Sequence, residues 1–377
     1  MGDNLLFDRV TIGAAEEVQR TADSATATTL VDTELTEADG FWNEAILRTI
    51  RGTGAGQRRA VTGFVAVTDT LTVPAWTTNP AAGTIYLLDR PAVAADMFRA
   101  GNFQHTLTVA QLDRAIRDSS LSKFARVDGP RSASLRFTTE LRGSGAAGTA
   151  PDYGLLFQAC GMTEAIVGGA SVTYAPTSDK ANYKRACITV YIDGLRVMFL
   201  GCMGTYTINI TLDGVPTIDW EFQAADFDVA DDTLIAGAYD SAIPEPCLAT
   251  GFAFSGFNFN AASIQIALNN TVALRKSTNL SGGHVNALVT GRAPAGSFDP
   301  EGVLKATEDI FADWEGQAQV ALAVTLGAAA GNICTISAPK CQYSNVGLGD
   351  REGMLAYDAP FVCNRNTGDD EISITFT

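Results

Sequence analysis

A chain of 377 residues, 46% hydrophobic and 18% charged, is long enough for two packed cores and too apolar to stay disordered. Its 42 acidic and 26 basic residues leave a net charge of −16. That is a poor surface for gripping a nucleic-acid backbone or an anionic membrane, which call for Lys and Arg.

The chain opens on "MGDNLLFDRV", which has no basic stretch followed by an apolar run, and no later window approaches bilayer length. The expectation is a protein made in a cytosol with no membrane insertion. Residues 21–90 read as short strands, "ATTLVD", "EAILRTI", "RRAVTGFVAV" and "DTLTVPAW", closed by "GTIYLLDRPAV" with Pro91 at a boundary. Within them "RGTGAGQRR", residues 51–59, looks like a phosphate loop. A P-loop needs Lys and a hydroxyl where Gln57, Arg58 and Arg59 stand, and a dinucleotide fingerprint needs G-x-G-x-x-G before a helix. The spacing here is G-x-G-x-G before a strand, so it reads as a turn joining Ile46–Ile50 to Ala60–Val67.

Residues 106–124 carry a helix signal. In "TVAQLDRAIRD", Thr108 and Gln111 form a capping box, and Leu112 and Ile116 share a face. From 131 onward β structure dominates. "SASLRFTTEL" alternates with period two, which places Leu135 and Phe137 on one face. A long connection from 142 to 184 follows, with apolar anchors at Tyr153, Leu155, Leu156, Phe157 and Tyr174. Next comes a meander, "ACITVYID", "LRVMFLGCMG", "TYTINITL" and "VPTIDWEFQA", with hairpin turns at Asp193-Gly194 and Asp213-Gly214. "DPEGVLKATEDIFADWEG" predicts a helix over 300–315, capped by Asp299, with Pro300 first and Gly316 as the stop. Four more strands finish the chain.

Little catalytic chemistry is encoded. His105 and His284 lie far apart without a motif, and read as a polar strand edge and a turn residue. The seven cysteines (160, 187, 202, 247, 334, 341 and 363) form no C-x-x-C pair, which points to reduced, buried thiols. The segment 213–240 holds Asp213, Asp219, Glu221, Asp226, Asp228, Asp231, Asp232 and Asp240 without one Lys or Arg. "DFDVADD" lacks the Gly and final Glu of an EF-hand loop. The cluster reads as a solvated face, a metal site, a carboxylate pair for hydrolysis, or a wall whose charge is its function.

By "TTELRGSGAAGTAPDYGLLFQACGM", residues 138–162, the chain resembles the tail tube proteins of long-tailed, siphovirus-like bacteriophages. The likeness continues through "VTYAP" at 172–176, "ITVYIDGLRVMFLGCMGTYTINITLDGVPTIDWEF" at 188–222, "VTGRAPAGSFDP" at 289–300 and "LGDREGMLAYDAPFVCNRNTGDDEISITF" at 348–376. These segments span roughly two-thirds of the chain. Residues 21–95 resemble a small β domain grafted onto phage structural proteins, an insertion or outer decoration after an N-terminal segment, 1–20.

The resemblance implies a mainly β fold. Residues 96–377 would form a tail-tube-type β-sandwich with a flanking helix at 300–315 and a long inter-ring arm at 142–184. Arg142, Gly145, Pro151, Tyr153, Leu155, Leu156 and Phe157 would belong to that arm. It further implies homo-hexameric rings stacked into a virion tail tube, assembled in the host bacterial cytoplasm. Partners would be a tape-measure protein, a tail terminator, tail-tip proteins and transiently passing double-stranded DNA. Six copies of a chain this acidic give a lumen that repels phosphate, with Asp219, Glu221, Asp226, Asp228, Asp231 and Asp232 as candidate lumen acids. Period two puts Asp219 and Glu221 on the face opposite Trp220. No enzyme, cofactor or metal is implied. The competing expectation is a tail-tip, baseplate or decoration protein that binds host-surface glycans, for which Trp42 and Trp76 would have to be exposed rather than packed in a small core.

Overall fold

The computed structural model describes residues 9–116, 118–120, 122–212, 214–248 and 251–377. Its first strand, Val10–Glu16 (β1), is already part of the main sheet. It pairs antiparallel with Ala186–Ile192, from Val10 opposite Ile192 to Glu16 opposite Ala186.

The chain then leaves that sheet for a small β module. Its strands are Val18–Thr21 (β2), Ser24–Ala25 (β3), Thr29–Val31 (β4), Ile46–Arg51 (β5), Arg58–Ala60 (β6), Gly63–Val65 (β7), Thr70–Thr72 (β8) and Ile85–Asp89 (β9). They form two four-stranded sheets, β2-β9-β5-β6 and β3-β4-β8-β7. Between the sheets lie Leu30, Leu47, Phe64, Leu71, Tyr86 and Leu88. Trp42 and Trp76 are buried with them, and Trp42 Nε1 donates to Glu37 Oε2 at 2.9 Å. Met97–Phe98 (β10) returns the chain to β1, with Ile12 opposite Phe98. The module is therefore inserted between two paired strands of the main sheet.

The 51–59 loop is the turn between β5 and β6, where Ile46 pairs with Ala60. Gly52, Gly54 and Gly56 take φ of 100°, 73° and 89°, the left-handed region that glycine enters without steric cost. A Cβ on Gly56 would lie 2.0 Å from the Asn279 carbonyl oxygen, so the loop is also pressed against the main body.

Gly101–Leu112 (β11) is a strand, where the capping box at Thr108 and Gln111 predicts a helix. It pairs along its length with Val127–Glu140 (β12), with Thr108 opposite Ser132 and Leu112 opposite Val127. The residues between Gln104 and Val109 alternate in exposure and include β-branched side chains. A long strand partner outweighs a local cap.

The connection after β12 does not extend as an arm. It contains the helix Gly154–Ala159 (α1) and the hairpin Met162–Val167 (β13) and Ser171–Pro176 (β14). Ala186–Ile192 (β15) then turns through Asp193-Gly194, at φ 30° and 114°, into Leu195–Thr211 (β16). The meander predicts two strands here and the structure has one, bent at Gly201 where φ is 62°. Before the bend β16 pairs with β15 and with Asp226–Asp231 (β18). After it, β16 pairs with Thr217–Ala224 (β17) and with Ala261–Ala267. One strand thus belongs to two layers. Asp213, in the second expected turn, lies outside the described residues.

The rest of the body is Gly251–Phe254 (β19), Ala261–Ala267 (β20), Thr271–Lys276 (β21), His284–Gly291 (β22), Ala295–Pro300 (β23), Ile310–Glu315 (α2), Val320–Leu326 (β24), Cys334–Tyr343 (β25), Gly347–Arg351 (β26), Met354–Cys363 (β27) and Ser373–Phe376 (β28). The helix predicted for 300–315 begins ten residues late, at Ile310, capped by Asp309, whose carboxylate accepts from the Ala312 amide at 2.9 Å. Asp299 and Pro300 are used by β23 instead. Pro300 pairs with Ala261, and Asp299 Oδ1 accepts from the amides of Ala262 and Ser263. Gly316 does end the helix, and Ile310, Phe311 and Trp314 pack on the core.

The main core is aromatic. Phe157 of α1 sits 4.8 Å from Tyr174, 5.0 Å from Trp220 and 5.3 Å from Tyr206, ring centre to ring centre. Leu135 and Phe137 face into this core from β12. The seven cysteines are unbonded and buried.

Candidate functional site: the outward face of the sheet

Strands β11-β12-β17-β16-β20 run side by side with one face on the aromatic core and the other outward. On β17, Ile218, Trp220 and Phe222 are buried while Asp219 is exposed and Glu221 half-buried, so period two sorts the acids outward as expected. The outward face is built from short polar side chains. Thr138 Oγ1 donates to Asp219 Oδ1 at 2.7 Å, Asn209 Nδ2 donates to Asp219 Oδ2 at 2.8 Å, and Gln265 Nε2 donates to Asn209 Oδ1 at 2.9 Å. This polar rung crosses β12, β17, β16 and β20. Beside it, Arg136 Nη2 donates to Glu221 Oε1 at 2.8 Å. Gln104, Thr205 and Thr207 line the shallow groove between the rungs.

The remaining candidate acids lie elsewhere. Asp226 is 2% exposed and ion-paired to Arg58 at 3.3 Å and to Arg131 at 2.9 Å. Asp228 meets Arg58 Nη2 at 2.6 Å. Asp232 pairs with Arg196 at 2.8 Å, and Arg196 also bonds Glu44 of the inserted module. Only Asp231 of this group is exposed. Of the six candidate lumen acids, Asp219 and Glu221 thus share the outward face, while Asp226, Asp228 and Asp232 are held by arginines away from it. Four of the six carry an arginine from elsewhere in the chain, and those at Asp226, Asp228 and Asp232 help fasten the inserted module to the body.

Most of the residues expected in an inter-ring arm are packed within this chain, while Gly145 is exposed. Tyr153, Leu156 and Phe157 are at most 1% exposed, inside the chain's own core, and Leu155 packs against it. Arg142 is buried on Asp152 at 2.6 Å, and its backbone amide and carbonyl are both bonded to the Tyr153 hydroxyl. The Gly145 amide donates to Gly331 O at 3.0 Å, and Pro151 O accepts from Gly154. An apolar side chain in a long connection has two ways to leave water, and here the chain's own aromatic core is nearer. The β11–β12 hairpin carries exposed apolar side chains, with Val109, Leu112, Ile116 and Val127 at least 40% exposed.

Sequence reasoning missed the amide and hydroxyl residues of the outward face, and Glu140. Glu140 lies two and four residues beyond Thr138 and Arg136 and shares their side of β12. Period-two counting outward from Asp219 along paired strands would have found them once the register was known.

His105 stacks on Phe103 in β11, and His284 is buried with Nδ1 2.7 Å from the Arg131 carbonyl. Among the described residues no group of three or more His, Cys, Asp or Glu is placed to hold a metal ion. No described helix is long and apolar enough to cross a membrane. Compared with known protein families and with curated proteins, the chain matches none.

Proposed function

We propose that the chain is a self-assembling structural subunit of a phage tail tube, six copies forming a ring and rings stacking around a channel for double-stranded DNA. The observation that carries this reading is the outward face of β11-β12-β17-β16-β20, a continuous strip of amides, hydroxyls and carboxylates over an aromatic core. Such a face suits a wall past which phosphate slides, since it offers Asp219 and Glu221 and few cations to hold a backbone. Among the described residues β11 pairs in register with β12 alone and β26 with β27 alone, so the strand system carries open edges. Closing edges between copies into a barrel removes the hazard of an unpaired strand. The buried Trp42 and Trp76 take away the aromatic anchors on which glycan binding would rest.

Negative-stain electron microscopy of the purified protein across concentrations, with size-exclusion chromatography, tests the reading. Expected are rings or tubes with a channel roughly 20 Å wide plus a hydration layer. Closed oligomers without a channel, or a monomer at every concentration and in the presence of preformed tail tips, would overturn it.

A further inference from the structure

Cys341 of β25 and Cys363 of β27 stand directly opposite each other, with Sγ atoms 3.7 Å apart and unbonded. The hydrogen bonds around them fix the kind of pair they form. The Asn364 amide donates to Lys340 O at 2.7 Å, while the Cys363 amide points away to Pro294 O at 2.9 Å. Cys341 and Cys363 are therefore a non-hydrogen-bonded pair, whose Cα atoms in antiparallel sheets lie about 4.5 Å apart. That spacing falls within the range a disulfide spans, so the sulfurs can bond with a small side-chain rotation and little movement of the strands. Burial of an unbonded thiol pair in register is not needed for packing, which two alanines or a valine would serve.

We infer that Cys341 and Cys363 are a built disulfide site, open in a reducing cytosol and closed by a low-molecular-weight disulfide outside it. Cys363 is 6% exposed and Cys341 fully buried, so Cys363 meets the reagent first. Its thiolate attacks one sulfur of the reagent, the reagent's S–S bond breaks, and one thiol leaves carrying the Cys363 proton. Cys341 then gives up its proton and attacks Cys363 Sγ, and the second thiol leaves with that proton. Two electrons pass from the protein pair to the reagent, and one protein S–S bond replaces the reagent's. The Cys341 thiol is held protonated by its hydrogen bond to Cys363 and by burial, so it stays inert until the mixed disulfide is beside it.

The bond would tie β25 to the end of β27, enclosing the β26–β27 hairpin, whose Leu348, Met354 and Leu355 are exposed. Oxidation thus sets the rigidity of one exposed apolar projection without altering its surface.

The test uses the full chain in two arms, the native protein incubated with oxidised glutathione and the unfolded protein refolded in a glutathione redox buffer. Intact mass spectrometry should show loss of two hydrogens, and a non-reducing digest should give one linked pair of peptides carrying 341 and 363. Cys341→Ser should stop at a single glutathione adduct on Cys363, while Cys363→Ser should give neither product. The linked pair in either arm of the wild-type protein supports the inference without relying on a variant. Full alkylation of both thiols after both arms, or a link to any other cysteine in their place, overturns it.

Discussion

Arg48 Nη2 donates to Glu17 Oε2 across 2.7 Å in a site where both side chains are nearly dry. The same nitrogen reaches Asp89 Oδ2 at 2.8 Å, and Nη1 reaches the Val285 carbonyl of β22 at 2.9 Å. Glu17 lies where the chain leaves the main sheet and Asp89 where β9 ends, so one guanidinium ties both crossings of the insertion to the body. Burial alone would lower the pKa of Arg48, but Asp89 and Glu17 together raise it, so it stays charged.

Replacing Arg48 by Met would leave the buried Asp89 without its cation and Glu17 with Arg185 alone, 3.9 Å away. The expected loss is about 3–5 kcal/mol of stability, measured by denaturant unfolding, because breaking one side of a buried ion pair costs more than the pair contributes. Limited proteolysis should also become faster at residues 17–18 and 89–91. A loss below about 1 kcal/mol would show that the insertion is held by other contacts.

The same site gives a pH dependence. Burial and the neighbouring Asp89 charge push the Glu17 carboxyl up to about 7, although Arg48, Arg185 and the Asn286 amide pull the other way. The folded state therefore keeps a proton that the unfolded chain releases near pH 4.5. Unfolding sheds protons across that window, so this group's contribution to stability falls as pH rises from about 4.5 to about 7. Asp89 shifts in the same direction, chiefly through burial. Thermal unfolding of wild type and Glu17→Gln should converge at the acidic end and diverge toward pH 7–8, with wild type losing about 1–3 kcal/mol relative to the variant. Parallel curves would refute the assignment.

How much of this could be read in advance follows from how local each signal is. The alternation at Leu135 and Phe137, the Asp193-Gly194 turn and the glycines of 51–59 depend on neighbours within a few positions, and all three stand as expected. Thr108 and Asp299 carried equally local signals that lost to strand partners, Ser132 opposite one and Ala261 beside the other. The acidic segment misled for the converse reason. It contains no base of its own, and the bases that neutralise it, Arg58, Arg131 and Arg196, become neighbours only through the fold.

Asp226 and Asp231 separate those two situations within one strand. Asp226→Asn removes a buried carboxylate shared by Arg131 and Arg58, leaving Arg58 with Asp228, and should cost about 2–4 kcal/mol. Asp231→Asn, on an exposed side chain, should fall within about 0.5 kcal/mol. Equal effects in chemical denaturation would mean that both acids face solvent and that the wall of charge is intact.

Phe157 decides between core and arm in the same way. Phe157→Ala opens a cavity among Tyr174, Tyr206 and Trp220 and should cost about 3–5 kcal/mol in the isolated subunit. Leu112→Ala on the β11–β12 hairpin should leave the subunit's stability within about 0.5 kcal/mol while weakening any assembly seen by electron microscopy. The reverse pattern, a stable Phe157→Ala subunit that fails to assemble, would restore the inter-ring reading of residues 142–184.

The outward face makes the most direct prediction about function. Asp219 and Glu221 sit on a solvent-facing strip where Arg136 is bonded to Glu221, so the strip offers little to a phosphate. Changing both acids to Lys turns that strip basic and releases Arg136 from its partner. The substitutions touch exposed or half-buried side chains, so the subunit should unfold within about 1 kcal/mol of wild type. What should change is retention of double-stranded DNA. Wild-type assemblies should hold none in filter binding at about 50 mM salt, whereas the double variant should hold DNA with an affinity that falls steeply as salt rises, because each phosphate contact releases a counterion. If wild type binds DNA as well as the variant does, or the variant gains nothing while still forming tubes, this face is not the wall of the channel.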